Sequence, residues 1–312
     1  MYSLSRLTVL FLLTVLSPGS VLADASVRLS KSDQQLYERA YTAADRGRWT
    51  TAHSTASKAR EKLPAKVLRW MHMTRRDRSH RFKDIAGFMA DNSGWPGMKT
   101  LQRNAEHAID ARVSAEHTRS WFAKNPPLTT EDRVRHIEAL TRSGQRTEAA
   151  GLIKSTWRTG SFGRKQPRSF RRKYRKYLIK DNHEARLDRL LWQGRTSQAH
   201  RMLPLVSKRL QKLAAARISL RASRGGVDWH IRQVPRELLN RPGFVYERVR
   251  WRRRKGRDDG AYDLSKNVPP DAPAARRWWI ERSILAFRLL TKGHILEAYR
   301  IAHAHGLKSG AR

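Results

Sequence analysis

A side chain becomes chemically active when a partner at the right spacing changes its charge or its nucleophilicity. Few residues of this 312-residue chain stand at such spacings. Among 12 histidines none completes a His-Glu-x-x-His helix: His183-Glu184 lacks the second histidine, and His303 and His305, two apart, do not share a helical face. The absence of cysteine removes thiolate nucleophiles, disulfides and thiolate zinc sites. Neither a Gly-x-Ser-x-Gly elbow nor a glycine-rich phosphate loop occurs. The glutamates fall mostly at polar helix positions, where no apolar wall would hold a general acid protonated. Glu281 stands beside Arg282, which favours the ionised form, and Glu297, between Leu296 and Ala298, reads as a helix-surface residue. The sequence thus nominates no catalytic, metal-ligating or cofactor-binding residue, and no cofactor.

What the chain offers instead is charge. Lysine and arginine total 65 against 27 acidic residues, a net +38, and 47 of the 65 are arginine, whose planar fork matches carboxylate and phosphate. Two runs interleave cations with aromatic rings: Arg164 to Lys180, with Phe170, Tyr174 and Tyr177, and Arg248 to Arg257, with Trp251. Within them Arg171, Arg172, Arg175, Lys176, Arg252, Arg253 and Arg254 are the candidate contacts to an anionic polymer. Cations beside rings also hold single-stranded nucleic acid and sugars. The structural alternative puts Tyr174 and Tyr177, at i and i+3, in the core, with the arginines solvated and their stems covering apolar surface.

The elements that must carry these residues are helices. Arg276 to Gly306 holds one complete unit: apolar residues from Trp279 to Leu290 recur at helical intervals, Gly293 ends the first helix, a second apolar run starts at Ile295, and Ala298 lets the two helices approach. The Gly-x4-Ala spacing recurs at Gly47/Ala52, Gly144/Ala149, Gly194/Ala199 and Gly256/Ala261, the last four glycines standing 50, 62 and 37 residues apart. Irregular intervals between amphipathic pairs predict an all-α superhelical solenoid of antiparallel, TPR-like helix pairs. Local signals predict caps at Ser32 (with Gln35), Thr130 and Asn182, and Pro64 at the start of a helix. They also predict a looser joint over Asn267 to Pro273. Of the pair Trp278-Trp279, helical geometry turns one ring inward and leaves the other partly out.

Residues 1–23 read as a cleavable signal peptide: Arg6 in the n-region, Leu7 to Leu16 as the h-region, and Val21-Leu22-Ala23 before the cut. Ten apolar residues fall well short of the roughly 20 that span a bilayer. Residues 24–312 are then the exported helical domain, with no stable membrane span, and periplasmic if the source is a Gram-negative bacterium. Export disfavours nucleic acid as the partner and leaves peptidoglycan or another anionic polymer.

Several motifs add a resemblance. Gly94-Trp95-Pro96 with Leu101 and Ala105-Glu106, Trp121-Phe122 with Asn125-Pro126-Pro127-Leu128-Thr129, Arg241-Pro242-Gly243 with Tyr246, Trp278-Trp279-Ile280-Glu281-Arg282, and Ala298-Tyr299-Arg300-Ile301-Ala302 with His305-Gly306 follow in order. In this order they resemble the N-terminal superhelical domain of soluble lytic murein transglycosylases of alphaproteobacterial type. The resemblance implies a periplasmic α-helical scaffold beside which a lysozyme-like domain cleaves peptidoglycan glycan strands. That family's Glu-Ser, Gly-Leu-Met-Gln and Ala-Tyr-Asn-Ala-Gly segments do not occur here, so no catalytic residue carries over. The expectation is a truncated, non-catalytic member. The alternatives are a stand-alone periplasmic solenoid that binds peptidoglycan or a protein and, third, a basic nucleic-acid binder.

Helical periodicity throughout predicts a far-UV circular dichroism spectrum dominated by minima at helical wavelengths; a substantial sheet component would remove the solenoid reading.

Overall fold

The computed structural model describes residues 28–75, 80–223, 225–269 and 271–307. The expected signal peptide lies outside them. The described residues are all-α, with seventeen α-helices, three short 3-10 turns and no strand among them. None of these helices is long and apolar enough to cross a membrane.

Two compact units divide the chain. The first contains α1 (Lys31–Asp45), α2 (Trp49–Ala56), α3 (Leu63–Met73) and the segment Trp95–Leu101. Its core is built from small side chains, Ala40, Ala44, Ala52, Ala56 and Ala59, closed by Tyr37 and Leu68. Ser30, not Ser32, caps α1, accepting from the Asp33 amide at 3.1 Å. Asp33 itself accepts from the amides of Arg60 and Glu61 at 3.0 and 3.1 Å, tying the end of the hairpin to its start. The expected box used the wrong serine because both stand in a polar lead-in, and only the fold fixes which one has extended backbone.

The second unit contains α4 (Phe82–Asp91), the end of α5 (Met98–His107), and α6 (Ala115–Lys124) to α17. The intervening helices are α7 (Thr130–Arg142), α8 (Arg146–Thr159), α9 (Gln166–Tyr174), α10 (Lys180–Trp192), α11 (Thr196–His200), α12 (Lys208–Ala222) and α13 (Val227–Arg232). The series ends with α14 (Pro242–Arg254), α15 (Asp258–Ser265), α16 (Ala275–Thr291) and α17 (Ile295–His303). Each helix packs chiefly on its neighbours in sequence, α6 on α7, α7 on α8, α8 on α10, α10 on α12, α12 on α14 and α14 on α15 and α16, which is the contact pattern of a solenoid.

The Gly-x4-Ala pairs mark the hairpins as the spacing predicts. All five glycines have φ between +70° and +84°, and the alanines Ala52, Ala149, Ala199, Ala261 and Ala298 are buried. At each turn the amide after the glycine reaches back five residues, as Arg257 to the Arg252 carbonyl at 2.9 Å and His294 to Leu289 at 2.9 Å. This is the Schellman closure, which satisfies helix-end carbonyls only when the penultimate residue turns left-handed. The alanine then sits one turn into the second helix, where a larger side chain would separate the pair.

Other local expectations shift slightly. Thr129 rather than Thr130 caps α7, its hydroxyl reciprocated by Asp132. Asn182 is not the cap of α10 but stands one turn inside, its side chain accepting from the Ile179 amide at 3.0 Å. Within the expected looser joint Val268 and Ala272 are buried, and Arg282 donates to the Val268 carbonyl at 2.6 Å. Trp278 is buried and Trp279 half-buried, as expected.

Gly256→Ala should lower stability by about 1–2 kcal/mol, because φ is +70° while no atom crowds the new Cβ. Ala261→Leu, in a fully enclosed position, should cost about 1–3 kcal/mol through overpacking. Urea unfolding midpoints of the two variants check both; an unchanged Gly256→Ala midpoint would remove the left-handed constraint.

Candidate polyanion interface

The first basic run folds as α9 followed by a 3-10 turn over Arg175–Tyr177. Phe170 and Tyr174 lie in the core of the second unit, and Phe170 stacks on Trp157 at 6.0 Å with an 11° tilt; Tyr177 is half-buried against the same core. The rings are therefore structural, as the alternative reading had it, and offer no stacking platform. With 170, 174 and 177 turned inward, the helical period places Arg168, Arg171, Arg172 and Arg175 on the opposite side, and all four are exposed. Lys176, also exposed, lies over the Tyr177 ring at 5.0 Å. Among the described residues no carboxylate pairs with any of the five. Only Lys173 is engaged, with Glu138 of α7 at 2.6 Å.

Beside this ridge, between α7 and α9, run two clefts of about 610 and 390 Å3 that share Arg135, Glu138, Lys173 and Tyr174. The Lys173–Glu138 ion pair stands where they adjoin. Arg142 adds a cation to the wall of the larger one.

The second run has a different fate. Arg253 donates to Glu281 of α16 at 2.5 Å, and Arg250 approaches the same carboxylate at 3.6 Å. Arg252 donates to the Gly260 carbonyl at 2.7 Å, across the hairpin from its own helix. Arg257 lies over Trp251 at 5.2 Å. Of the three α14 candidates only Arg254 is exposed. The structure thus gathers Arg171, Arg172, Arg175 and Lys176 into one surface and assigns Arg252 and Arg253 to the scaffold.

The carboxylates also differ from the sequence expectation. Glu106, Glu247 and Glu281 are almost fully enclosed, at 0, 1 and 2% exposure. Glu247 is pushed up by burial, against the Arg221 guanidinium, which donates to it at 2.9 Å through Nε. Asp258 is pushed upward by burial, but hydrogen bonds from Lys292 and Arg288 outweigh that and leave it below the usual carboxylate range. Glu106 is the most perturbed. Burial, and then a hydrogen bond with the Asp132 side chain, raise it to about 8. Its other contacts are Gln102 Nε2 at 2.7 Å and the Leu128 amide at 3.3 Å, while Asp132 accepts from Arg135 at 2.6 Å and from the Thr129 hydroxyl at 2.5 Å. The Asp132 carboxyl beside it thus disfavours the ionised form of Glu106, and the two make a carboxyl dyad. The dyad ties α5 to the Pro126–Thr129 turn and to α7. Sequence reasoning missed it because burial, not spacing, creates it.

In the first unit His53 Nε2 lies 2.9 Å from His72 Nδ1, and the His72 ring stacks on Trp49 at 4.1 Å. Burial, then the nearby His80 and Arg69, hold His53 below the usual histidine range. No group of three or more His, Cys, Asp or Glu residues among the described residues is arranged to hold a metal ion.

No protein-family model, curated protein or solved structure matches the chain significantly, so the functional reading rests on this geometry and on the motif resemblance.

Glu106 gives a signed pH prediction. Its folded value of about 8 exceeds the unfolded value near 4.5, so between them the native state binds the extra proton and stability falls as pH rises. Thermal unfolding followed from pH 5 to pH 8.5 should show this decline, and Glu106→Gln should flatten it. An identical slope in the variant would exclude Glu106 as its source.

Proposed function

We propose that this chain is a helical-repeat scaffold that holds an anionic polymer against the exposed face of α9, and that the polymer is peptidoglycan in the exported setting its first residues imply. The observation that carries the reading is the separation on α9 itself: aromatic side chains inward, and Arg168, Arg171, Arg172 and Arg175 outward without carboxylate partners among the described residues. Cations at i, i+3, i+4 and i+7 line up along about two helical turns, roughly 10 Å, which suits repeated anionic groups better than one small ligand. Arg142, on the cleft wall beside the ridge, extends the positive surface. Arginine-rich faces bind carboxylates and phosphates alike, so charge alone does not choose between peptidoglycan stems and other polyanions. The motif resemblance to the scaffold half of lytic transglycosylases favours peptidoglycan, and in this reading the chain grips glycan strands without cleaving them.

Co-sedimentation with purified sacculi tests the reading. Binding should be strong at about 50 mM salt and largely lost at 0.5 M, since contacts between exposed charges are screened over a few ångströms at high ionic strength. Replacing Arg171, Arg172, Arg175 and Lys176 together by Gln should weaken it at least tenfold, whereas Arg254→Gln should change it little. Salt-independent binding, or an unaffected fourfold variant, would place the contact elsewhere. Binding to single-stranded DNA with higher affinity than to sacculi at equal salt would favour the nucleic-acid alternative.

A further inference from the structure

Helix pair α16–α17 carries six of the ten exposed large apolar side chains among the described residues. Phe287 and Ile295 are each 68% exposed, Tyr299 63%, Leu296 55%, Ile280 54% and Leu290 52%. No other hairpin of the second unit presents such a face.

The repeat explains which face it is. Six residues before the hairpin glycine stand Asp188 in α10, Arg250 in α14 and Phe287 in α16; three before it stand Arg253 in α14 and Leu290 in α16; two after it stand Asp258 in α15 and Ile295 in α17. In the earlier hairpins these positions receive the following helix. Asp188 accepts from Arg217 of α12 at 2.6 Å, Arg250 and Arg253 hold Glu281 of α16, and Asp258 takes Arg288 and Lys292 of α16 at 3.2 and 2.9 Å. Phe287, Leu290 and Ile295 therefore occupy the stacking face of the last described hairpin, with apolar groups where the α14–α15 hairpin carries Arg250, Arg253 and Asp258; in α10 the position of Leu290 is already apolar, as buried Leu191. No described element covers them.

We infer that this face is a self-association surface, on which a second copy of the chain packs its own α16–α17 hairpin about a twofold axis. Three observations select that occupant. Taken with their exposures, the six side chains present roughly 600–700 Å2 per copy, at or above the largest patch normal on a monomer, and twice that falls within the range of specific interfaces. Four charges of α16 are engaged within the molecule: Glu281 with Arg253, Arg288 and Lys292 with Asp258, and Arg282 with the carbonyls of Val268 and Ala304. The charged residues among the apolar side chains of α17, Glu297 and Arg300, are of opposite sign, so two copies facing each other about a twofold axis can complement one another. An isologous pairing also needs only one such patch per chain, which is what the described residues provide. The net charge of +38 opposes the approach of two copies at long range, and salt screens that repulsion.

Sedimentation velocity on the exported chain, from about 2 to 200 μM and at 0.05 and 0.5 M NaCl, tests this. The expected result is a monomer–dimer equilibrium that strengthens with salt, opposite to the salt dependence of polyanion binding. A Phe287→Ser/Ile295→Ser variant should dissociate at least tenfold more readily while its circular dichroism spectrum stays unchanged, both positions being exposed. An Arg171→Gln variant, tested in parallel, should dimerise like the unaltered chain. A monomer at every concentration and salt, a dimer that survives the double substitution, or a dimer that dissolves as salt rises would each overturn the proposal. So would a monomer that floats with phosphatidylethanolamine–phosphatidylglycerol vesicles only while Phe287 and Ile295 are intact, since the face would then belong to a lipid surface.

Discussion

The second unit depends on guanidinium groups taken out of water. Arg186, Arg217 and Arg282 are each 2% exposed or less, and each bridges elements that apolar contact alone would leave loosely joined. Arg186 of α10 donates to the Trp157 and Gly160 carbonyls at 2.7 and 3.2 Å and lies over the rings of Trp157 and Phe162. Its neighbour Arg189 reaches the Arg158 carbonyl at 2.6 Å. Together they supply the donors that the end of α8 lacks, at the negative end of its dipole. The environment costs them: burial, with Arg189 nearby, lowers Arg186 to about 10. Losing one such group would strand carbonyls in an enclosed space, a penalty of about 1–3 kcal/mol each.

This internal use changes what the net charge means. Part of the arginine excess is structural, holding carbonyls or the enclosed acids Glu247 and Glu281, and part stands on α9 facing solvent. The two populations answer to different constraints. Gly243 shows the internal one at close range: a Cβ there would meet the Arg217 guanidinium at 2.3 Å, so the start of α14 must be bare for the arginine to pass. The exposed population has no such fixed partners, and only it is free to meet a polymer.

The all-α class, the hairpin turns and the close-packed alanines were legible in the sequence because they depend on local rules, namely a 3.6-residue period and a glycine that must turn left-handed. The inward turn of Tyr174 was legible for the same reason. What was not legible needs two distant segments at once. Arg253 looks like Arg254 in the sequence, and only the arrival of Glu281, 28 residues on, makes one internal and the other external. Glu106 likewise stands between Ala105 and His107 in sequence and beside Asp132 in space. Caps missed by one or two positions, at Ser30 and Thr129, reflect adjacent hydroxyls of equal intrinsic merit, between which the tertiary path decides.

The junction charges carry an evolutionary consequence. Between α10 and α12 the acid lies on the earlier helix and the arginine on the later; between α12 and α14, and again between α14 and α16, the order is reversed. Each hairpin is thereby keyed to its own neighbour. In arrays joined by apolar surfaces, unequal recombination can add or drop a unit and leave a workable seam. Here removal of α12 would take away both Arg217 and Arg221, the partners of Asp188 and Glu247, and leave two acids at the seam. Such an array resists change in length and can diverge only by point substitution, which fits hairpins that keep the Gly-x4-Ala turn while sharing almost nothing else.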